Sequence, residues 1–397
     1  MIKRRLYYEL QKYLNSKEAL VITGMRQVGK TTLLKQIYDE IDSQNKLFLD
    51  LENTLTQQIF EEMNYDRIDI QLRKLVKSGK DDKCYLFLDE IQNVKNLPSV
   101  IKYLSDHYNY KFFLTGSVSF YLRNLFSESM TGRKFLFELF PLSFSEFLEF
   151  KRVKYTKPKL DETIDKTFFE MIQPLFQEYI EYGGFPGVVL ADSYRSKEAK
   201  LNEIFSSYFQ KEVILFSDFR KNTIVRDLMI LLLRRTGQKV NFSKLGSELG
   251  VSRITLNDYL SFLEGSFFIK LVRPFSRNKD VEIREMPKIY TVDSGLANIL
   301  GKASFGSVFE NAVFHELYIK KKGVEDIRFS LNYYQKKSGQ EIDFVLNKET
   351  AIEVKETADY RDVERLKRLA DKLELEESFA VSYNYSKDKR VKYGFQI

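Results

Sequence analysis

The sequence predicts an α/β protein whose first part is built on a parallel sheet. Short apolar runs alternate with helical stretches over about the first 150 residues, which is typical of strands joined by crossover helices. A glycine-rich segment, GMRQVGKT, lies between the first apolar run and the first helical stretch. Farther on, three helical stretches and a strand follow one another in the order of a winged helix.

Five apolar runs predict the strands of the first part. Each of the first four is long enough for a strand buried on both faces, and they cover Ala19–Gly24, Lys46–Glu52, Cys84–Glu90 and Lys111–Ser117. Lys134–Leu142 predicts a fifth strand. Helices are expected between the runs, at Thr31–Ile41, Asp66–Lys77, Ser99–Asp106 and Ser119–Phe126.

The rest of the chain is predicted to be helical first and mixed later. After a polar stretch from Lys151, helices resume near Asp165, break at the turn YGGFPG and continue from about Lys197 to Phe216. The three helices of the winged-helix pattern are VRDLMILLLRR, NFSKLGSELG, with Asn241 or Ser243 as its cap, and RITLNDYLSFLEG, and the strand is SFFIKLVRPF. The last region is read as a helix, FENAVFHELYIKK, then strands IRFSLNYYQ, EIDFVLN and TAIEVKE, and a helix from about Asp362.

Composition narrows the class of protein. A chain of 397 residues with 43% hydrophobic and 30% charged residues is expected to fold into two or three globular domains. It has no apolar run near the roughly 18 residues of a membrane helix, and its start lacks the apolar part of a secretory signal. A single cysteine, Cys84, precludes an internal disulfide and fits a cytoplasmic location.

Positive charge is concentrated in one segment. Lys221–Asp280 holds eleven Lys and Arg against five Asp and Glu, a local charge of +6 within a net +7. Such a segment can face a nucleic-acid backbone, or it can be an ordinary solvated surface, and charge alone does not separate the two.

The glycine-rich segment predicts a phosphate-binding loop. Gly24, Gly29, Lys30 and Thr31 fit the pattern G-x-x-x-x-G-K-[ST], with a strand before it and a helix after it. Glycines let backbone N–H groups wrap the phosphates, Lys30 reaches the β- and γ-phosphates, and the Thr31 hydroxyl is a ligand for Mg²⁺. The predicted ATP-binding residues are Gly24, Met25, Arg26, Gln27, Val28, Gly29, Lys30, Thr31 and Thr32.

Two acids at the end of a later strand predict the hydrolytic half of the site. In CYLFLDEIQ, Asp89 is expected to hold Mg²⁺ and Glu90 to polarise the attacking water, the alternative being acids that cap a helix. Ser117, at the end of FFLTGS, could contact the γ-phosphate or that water. Arg133 could be an arginine finger, in its own site or a neighbouring subunit's, or a plain surface arginine.

The motifs together resemble a known family. GMRQVGKTTLLKQ, YLFLDEIQ, FFLTGSVSFYL, FELFPLSFSEFLEF, YGGFPGVVL, IYTVDSGLAN and GSVFENAVFHEL resemble the bacterial and archaeal AAA-type ATPases whose C-terminal half is called DUF4143. The resemblance implies an AAA-type core at 1–150, a helical lid at 151–220, a winged helix at 221–280 and a restriction-endonuclease-like DUF4143 region at 281–397. Val118 stands where the family pattern has serine, so a role for that loop depends on Ser117 alone.

The C-terminal acids predict a second metal site. Asp343 is followed ten residues later by Glu353-Val354-Lys355, the D–(E/D)-x-K pattern of metal-dependent nucleases. Two carboxylates would hold Mg²⁺ and Lys355 would position or deprotonate a water, whereas the alternative is a charged edge strand. The resemblance adds Glu310 as a third acid. His107 and His315 are too few and too isolated for a histidine-based metal site, and Asp293 is read as a cap.

The expected function is Mg²⁺-dependent ATP binding and hydrolysis coupled to a conformational change. DNA is the expected partner, through the C-terminal region and through Lys244, Arg253, Thr255 and Asn257 of the winged helix, although winged helices also bind proteins. Two alternatives stay open: a slow ATP-bound switch that binds proteins, and an ATP-regulated DNA nuclease. The sequence leaves the oligomeric state open.

Overall fold

The chain divides into two compact units. A computed structural model describes residues 2–76, 79, 82–117, 132–214, 222–276, 285–321, 329–336 and 339–397. The first unit comprises Met1–Phe140, Gln210–Ser217 and Gly265–Phe267, and the second comprises Pro141–Phe209, Asp218–Glu264 and Phe268–Ile397. Val118 and the helix expected at Ser119–Phe126 lie outside the described residues.

The first unit is built on a parallel sheet of five strands, which confirms the predicted α/β class. The strands are β1 (Ala19–Thr23), β2 (Lys46–Asp50), β3 (Cys84–Asp89), β4 (Tyr110–Gly116) and β5 (Lys134–Glu138). Their order is β2-β3-β4-β1-β5, and every neighbouring pair is parallel. The carboxyl ends of all five strands therefore lie at one edge, where ligands bind in sheets of this kind.

Burial follows position in this sheet. The inner strands β1 and β4 are buried throughout and β3 nearly so, whereas β2 and β5 are mostly half-buried because each has only one neighbouring strand. Burial of β2 on both faces, expected from its apolar run, is therefore wrong. The described helices of this unit are Arg5–Leu10, Lys30–Glu40, Thr54–Glu61, Tyr65–Val76 and Leu97–His107.

The second unit begins with helices, and polar side chains cap the starts of several of them. Asp165 accepts a hydrogen bond from the Phe168 amide at the start of the helix Lys166–Tyr182, and Asn241 accepts one from the Lys244 amide. The second bond identifies Asn241 as the cap that sequence left open between two residues. The helices up to this point are Phe144–Phe150, Lys166–Tyr182, Pro186–Val189, Tyr194–Tyr208, Asn222–Arg234 and Phe242–Leu249.

A two-stranded antiparallel sheet follows the third helix of the winged-helix pattern. The helix Arg253–Gly265 leads to β6 (Ile269–Val272), and β6 pairs with β7 (Lys288–Thr291). The order of three helices and a strand is as expected, although the partner strand lies beyond the boundary predicted at residue 280. Assignment of this region as a winged helix stays a prediction.

The last region forms a mixed sheet of five strands. These are β8 (Leu331–Gln335), β9 (Glu341–Leu346), β10 (Thr350–Lys355), β11 (Glu377–Ser382) and β12 (Lys392–Tyr393), and they lie side by side in sequence order. Strands β8 to β10 are antiparallel, whereas β10 to β12 are parallel. The helices Ser294–Ile299, Phe305–Lys321 and Tyr360–Lys372 complete the unit. Across the described ranges, the chain has no helix with the length and hydropathy to span a bilayer.

Candidate functional site

The loop between β1 and the helix Lys30–Glu40 has backbone geometry that requires glycine. A Cβ added at Gly24 would come 2.1 Å from the carbonyl oxygen of Leu139, which is far inside van der Waals contact. Gly29 has a φ of +100° and immediately precedes the helix, a conformation that disfavours other residues. Gly29 has no side chain with which to cap the helix, so its first amides can serve a ligand instead.

Lys30 lies across this loop. Its side chain is buried, and its Nζ donates to the carbonyl oxygens of Gly24 at 3.0 Å and Met25 at 3.1 Å. Burial lowers the pKa of Lys30, and the nearby carboxylates of Glu90 and Glu212 partly offset that effect. Neutral carbonyls therefore hold the ammonium of this lysine in the structure.

Asp89 receives hydroxyl groups from two directions. It is the last residue of β3 and is buried, and the Thr115 hydroxyl on the neighbouring strand β4 donates to its carboxylate. Burial raises the pKa of Asp89, and the Thr115 and Thr31 hydroxyls lower it in part. The structure thus brings together Thr31 and Asp89, the two residues expected to serve Mg²⁺.

Glu90 is fixed by a small polar cluster at the same edge. Its φ of +55° turns the chain sharply after β3, and its amide donates to the Thr115 hydroxyl at 3.3 Å. Its carboxylate accepts a hydrogen bond from the Gln92 side-chain amide and lies 3.4 Å from the Ser117 hydroxyl. Gln92 also donates to Ser117 at 3.0 Å. Sequence predicted Glu90 and Ser117 but missed Gln92, whose signal was its place two residues after the acid.

Arg26 has acidic partners that sequence reasoning missed. Its Nε lies 2.9 Å from Oε1 of Glu212, and its Nη2 lies 3.6 Å from Oε1 of Glu52. The Glu212 side chain is 1% exposed, whereas that of Glu52 is 46% exposed and also pairs with Lys211. Burial raises the pKa of Glu212, and Ser117, Arg26 and Lys30 lower it in part. The sequence offered one indication of this contact, because Glu212 is a charged residue at the start of the otherwise apolar run EVILF.

The N-terminal segment contacts the phosphate-binding loop through hydrogen bonds to backbone carbonyls. Arg4 is buried, and its guanidinium donates to the carbonyl oxygens of Val28 and Phe140, each at 2.8 Å. The Gln36 side chain donates to the carbonyl oxygen of Ile2 at 2.9 Å. Sequence reasoning assigned no role to these basic first residues, because nothing in the local pattern indicates a contact with the loop.

Arg133 lies at the amino ends of the strands, whereas the proposed site lies at their carboxyl ends. It immediately precedes β5, and its carbonyl oxygen accepts a hydrogen bond from the amide of Ala19 at the start of β1. Its guanidinium pairs with Asp106. The phosphate-binding loop begins at the opposite end of β1, and the five residues of that strand span about 15 Å. A role for Arg133 in its own site is therefore wrong, while a role in a neighbouring subunit stays a prediction.

The C-terminal acids each have cationic partners from the protein. Glu310 and Asp343 both contact the ammonium of Lys288, at 3.2 and 3.3 Å. Glu353 pairs instead with Lys355 at 3.0 Å and with Arg365 at 2.6 Å. Within the described ranges, no three acidic, histidine or cysteine side chains are grouped as metal ligands. Asp343 nevertheless lies near both other acids, because it shares Lys288 with Glu310 and accepts the amide of Val354, the residue after Glu353. The grouping of Glu310, Asp343 and Glu353 as one metal site stays a prediction.

The residues predicted to face DNA are largely accessible. Lys244, Arg253 and Asn257 are exposed, and Thr255 is half-buried with its hydroxyl 2.9 Å from that of Ser252. They belong to the two successive helices Phe242–Leu249 and Arg253–Gly265.

Asp293 is a helix cap, as expected. Its carboxylate accepts hydrogen bonds from the amides of Gly295 and Leu296 at the start of the helix Ser294–Ile299. It also accepts a hydrogen bond of 2.7 Å from the amide of Gly184, and this bond joins the motifs YGGFPG and YTVDSGL. His315 is buried, with its Nδ1 3.0 Å from the hydroxyl of Tyr179.

Comparisons with known proteins agree with this organisation. Residues 16–148 match the model of an AAA domain, residues 173–305 match a domain of unknown function, DUF8612, and residues 305–397 match another, DUF4143. An uncharacterized protein of Haemophilus influenzae is 29% identical over 89% of this chain and 85% of its own length. One of Methanocaldococcus jannaschii is 30% identical over 90% of this chain and 79% of its own.

The comparison with solved structures also gives a match at low identity. The Walker-type ATPase PABY2304 of Pyrococcus abyssi is 12% identical and is covered over 96% of its length by 76% of this chain, with a TM-score of 0.45.

Proposed function

The chain belongs to the family of AAA-type P-loop ATPases with a C-terminal DUF4143 domain, and from that premise we propose that its first unit binds ATP with Mg²⁺ and hydrolyses it. One observation carries the proposal. The loop lysine Lys30, the acids Asp89 and Glu90, and Ser117 lie together at the carboxyl edge of the parallel sheet. Phosphoryl transfer needs a phosphate cradle, a metal ligand and a residue that orients water at one place.

The residues fit a nucleotide with Mg²⁺. The close approach of Gly24 to Leu139 leaves no room for a side chain where the loop must present its amides, and Gly29 makes no side-chain cap to the first amides of the helix. Oxygen donors of hydroxyl and carboxylate type are those that Mg²⁺ prefers. We propose that the loop 24–32 holds the phosphates and that Thr31 and Asp89 hold the metal. Bound Mg²⁺ would neutralise the charge of the β- and γ-phosphates.

Lys30 and Arg26 supply the cationic contacts in this proposal. The Lys30 ammonium would exchange the carbonyls of Gly24 and Met25 for phosphate oxygens, which are stronger acceptors because they are charged. Arg26 would exchange Glu212 for the same phosphates. Both residues belong to the proposed phosphate-binding loop.

Glu90 acts as the residue that orients water. Its carboxyl group accepts a hydrogen bond from Gln92 and lies beside the Ser117 hydroxyl, so two neutral groups fix its direction. Held in this way, it would accept a proton from the attacking water as the γ-phosphoryl group leaves. Gln92 and Ser117 are positioning residues that act through Glu90.

ATP binding and turnover test this proposal directly. Lys30→Ala is expected to abolish Mg²⁺-dependent ATP binding measured by calorimetry, and Glu90→Gln to keep binding while turnover falls at least about a hundredfold. Lys35→Ala is the matched control, because Lys35 is an exposed lysine on the same helix. Equal loss in the Lys35 variant, or wild-type turnover in the Glu90 variant, would contradict the assigned roles.

We further propose DNA as the macromolecular partner. The segment Lys221–Asp280 carries eleven basic against five acidic residues. On its described helices, Lys244 and Arg253 are exposed, as contacts with a phosphate backbone require.

Salt-dependent titration with DNA separates this partner from a protein-binding switch. ATP turnover is measured with single- and double-stranded DNA at about 50 mM and about 200 mM salt, because DNA binding through phosphate contacts weakens strongly over this range. DNA should stimulate turnover at low salt, and Lys244→Ala combined with Arg253→Ala should weaken this. Lys166→Ala, at an exposed lysine outside the segment, should not. Absence of any DNA effect at low salt would favour the switch.

A further inference from the structure

A buried lysine lies at the centre of the C-terminal acids. The Nζ of Lys288 is 2.7 Å from a carboxylate oxygen of Glu341, 3.2 Å from one of Glu310 and 3.3 Å from one of Asp343. The Lys288 side chain is 5% exposed, and those of Glu310 and Asp343 are 17% and 13% exposed. One buried ammonium thus contacts three carboxylates, of which Glu341 is the most exposed, at 34%.

The fold places these groups on three elements that face one another. Lys288 and Tyr290 are two residues apart on β7 and so share one face of that strand, and the Tyr290 hydroxyl donates to Glu310 at 2.5 Å. Glu341 and Asp343 share one face of β9 in the same way. Glu310 comes from the helix Phe305–Lys321. The arrangement therefore depends on secondary structure and not on a flexible loop.

The charges require a cation at this place. Carboxylate oxygens of Glu310, Glu341 and Asp343 all lie within 3.3 Å of the same Nζ, and the Tyr290 hydroxyl also donates to Glu310. Without Lys288, carboxylates in so small a volume would repel one another strongly.

A divalent ion and this ammonium compete for the same oxygens. Mg²⁺ binds oxygen ligands at about 2.0–2.1 Å in an octahedral shell, so it would need the carboxylate oxygens that now contact Lys288. The remaining oxygen of Asp343 accepts the amide of Val354 at 2.8 Å. Glu353 is engaged by Lys355 and Arg365.

We propose that Lys288 is a resident cation that replaces the divalent metal among these acids, so that the C-terminal sheet does not cleave nucleic acid. The positive charge that a nuclease would take from solution is built into β7, and the acids fix that strand to β9 and to the helix of Glu310. The lysine holds these elements together and leaves no vacancy for a hydrolytic metal. This proposal is independent of ATP binding by the first unit.

Manganese binding tests the replacement. Mn²⁺ bound to the full-length protein without nucleotide is counted by electron paramagnetic resonance, and the site is identified by its loss on Asp343→Asn. Wild type should bind no Mn²⁺ that this substitution removes. Lys288→Met, which keeps the length of the side chain but not the charge, should gain about one such ion, consistent with carboxylates as ligands for hard cations.

Lys239→Met is the matched control. Lys239 lies opposite Lys288 in a β-bridge and over the same Tyr333 ring, so its loss removes a neighbouring lysine while leaving the ammonium among the acids. The control should bind Mn²⁺ as wild type does. Where Lys288→Met does not fold, Lys288→Met with Glu341→Gln is measured instead, because it removes one carboxylate together with the ammonium.

Three results would overturn the proposal. One is an Asp343-dependent Mn²⁺ ion in wild type, and another is plasmid cleavage by wild type with Mg²⁺ or Mn²⁺ that Asp343→Asn abolishes. The third is a folded Lys288 variant, single or double, that takes up no Mn²⁺ at this site. Because no nucleotide is present, failure here leaves the ATP measurements unaffected, and failure of ATP binding leaves this proposal standing.

Discussion

Glu212→Gln is expected to increase the affinity for ATP, although Glu212 lies beside the proposed phosphate site. In the free protein the Glu212 carboxylate holds Arg26 through a buried contact of 2.9 Å. A hydrogen bond to a charged partner contributes about 1.5–3 kcal/mol, and a neutral one about 0.5–1.5 kcal/mol. Glutamine would therefore hold Arg26 less tightly by about 1–2 kcal/mol, which corresponds to roughly five- to thirtyfold tighter ATP binding.

Glu52→Gln is the matched control for this measurement. Glu52 contacts the same arginine, but at 3.6 Å and with a side chain that is 46% exposed. Exposed ion pairs contribute about 0–1 kcal/mol, so ATP affinity should change less than about fivefold. Both variants are compared with wild type by calorimetry with Mg²⁺·ATP, and a melting curve verifies that each is folded.

The reasoning can be refuted in two ways. A folded Glu212→Gln variant with unchanged or weaker ATP binding would show that this carboxylate does not compete with phosphate for Arg26. The second test repeats the substitution in an Arg26→Met background, where the gain in affinity should largely disappear because the two residues act as a pair. A gain that persists there would assign the effect to repulsion between Glu212 and the phosphates instead.

Three further predictions concern the first unit. Glu90→Gln should trap Mg²⁺·ATP, so that nucleotide co-elutes with the variant in gel filtration but not with Mg²⁺ removed by EDTA. Gly24→Ala should lose ATP affinity at least about tenfold because its Cβ would collide with the Leu139 carbonyl, whereas Gly187→Ala, where an added Cβ meets nothing within 4 Å, should bind as wild type. Burial raises the pKa of Cys84 to about 11, so a thiol reagent at pH 8 should label this only cysteine after unfolding and not before; rapid labelling of the native protein would contradict its burial.

Sequence predicts the strands and the loop well because both are local. A parallel strand needs one apolar run, and the phosphate loop needs four residues at fixed spacing that set their own backbone geometry. Thr31, Asp89 and Glu90 follow from the same logic, since the carboxyl ends of parallel strands share an edge. The outer strand β2 is less buried than predicted, because the position of a strand in the sheet is not encoded in its own composition.

Contacts between distant segments are what sequence could not predict. Arg4 reaches the carbonyl of Val28 and Glu212 reaches Arg26 only after the chain has folded, and no spacing rule connects these positions. Lys288 is a similar case. It lies 55 residues before Asp343 in a strand that seemed unrelated to the acids, so the acids alone suggested a metal. The contact of Lys288 with these acids was what the sequence did not show.

The separation of Arg26 from Glu212 along the chain has a consequence during synthesis. The two residues are 186 positions apart, and ribosomes add about 5–20 residues per second, so the acid follows the arginine by roughly 10 to 40 s. Over that interval the emerging loop carries its arginine without the partner that later restrains it.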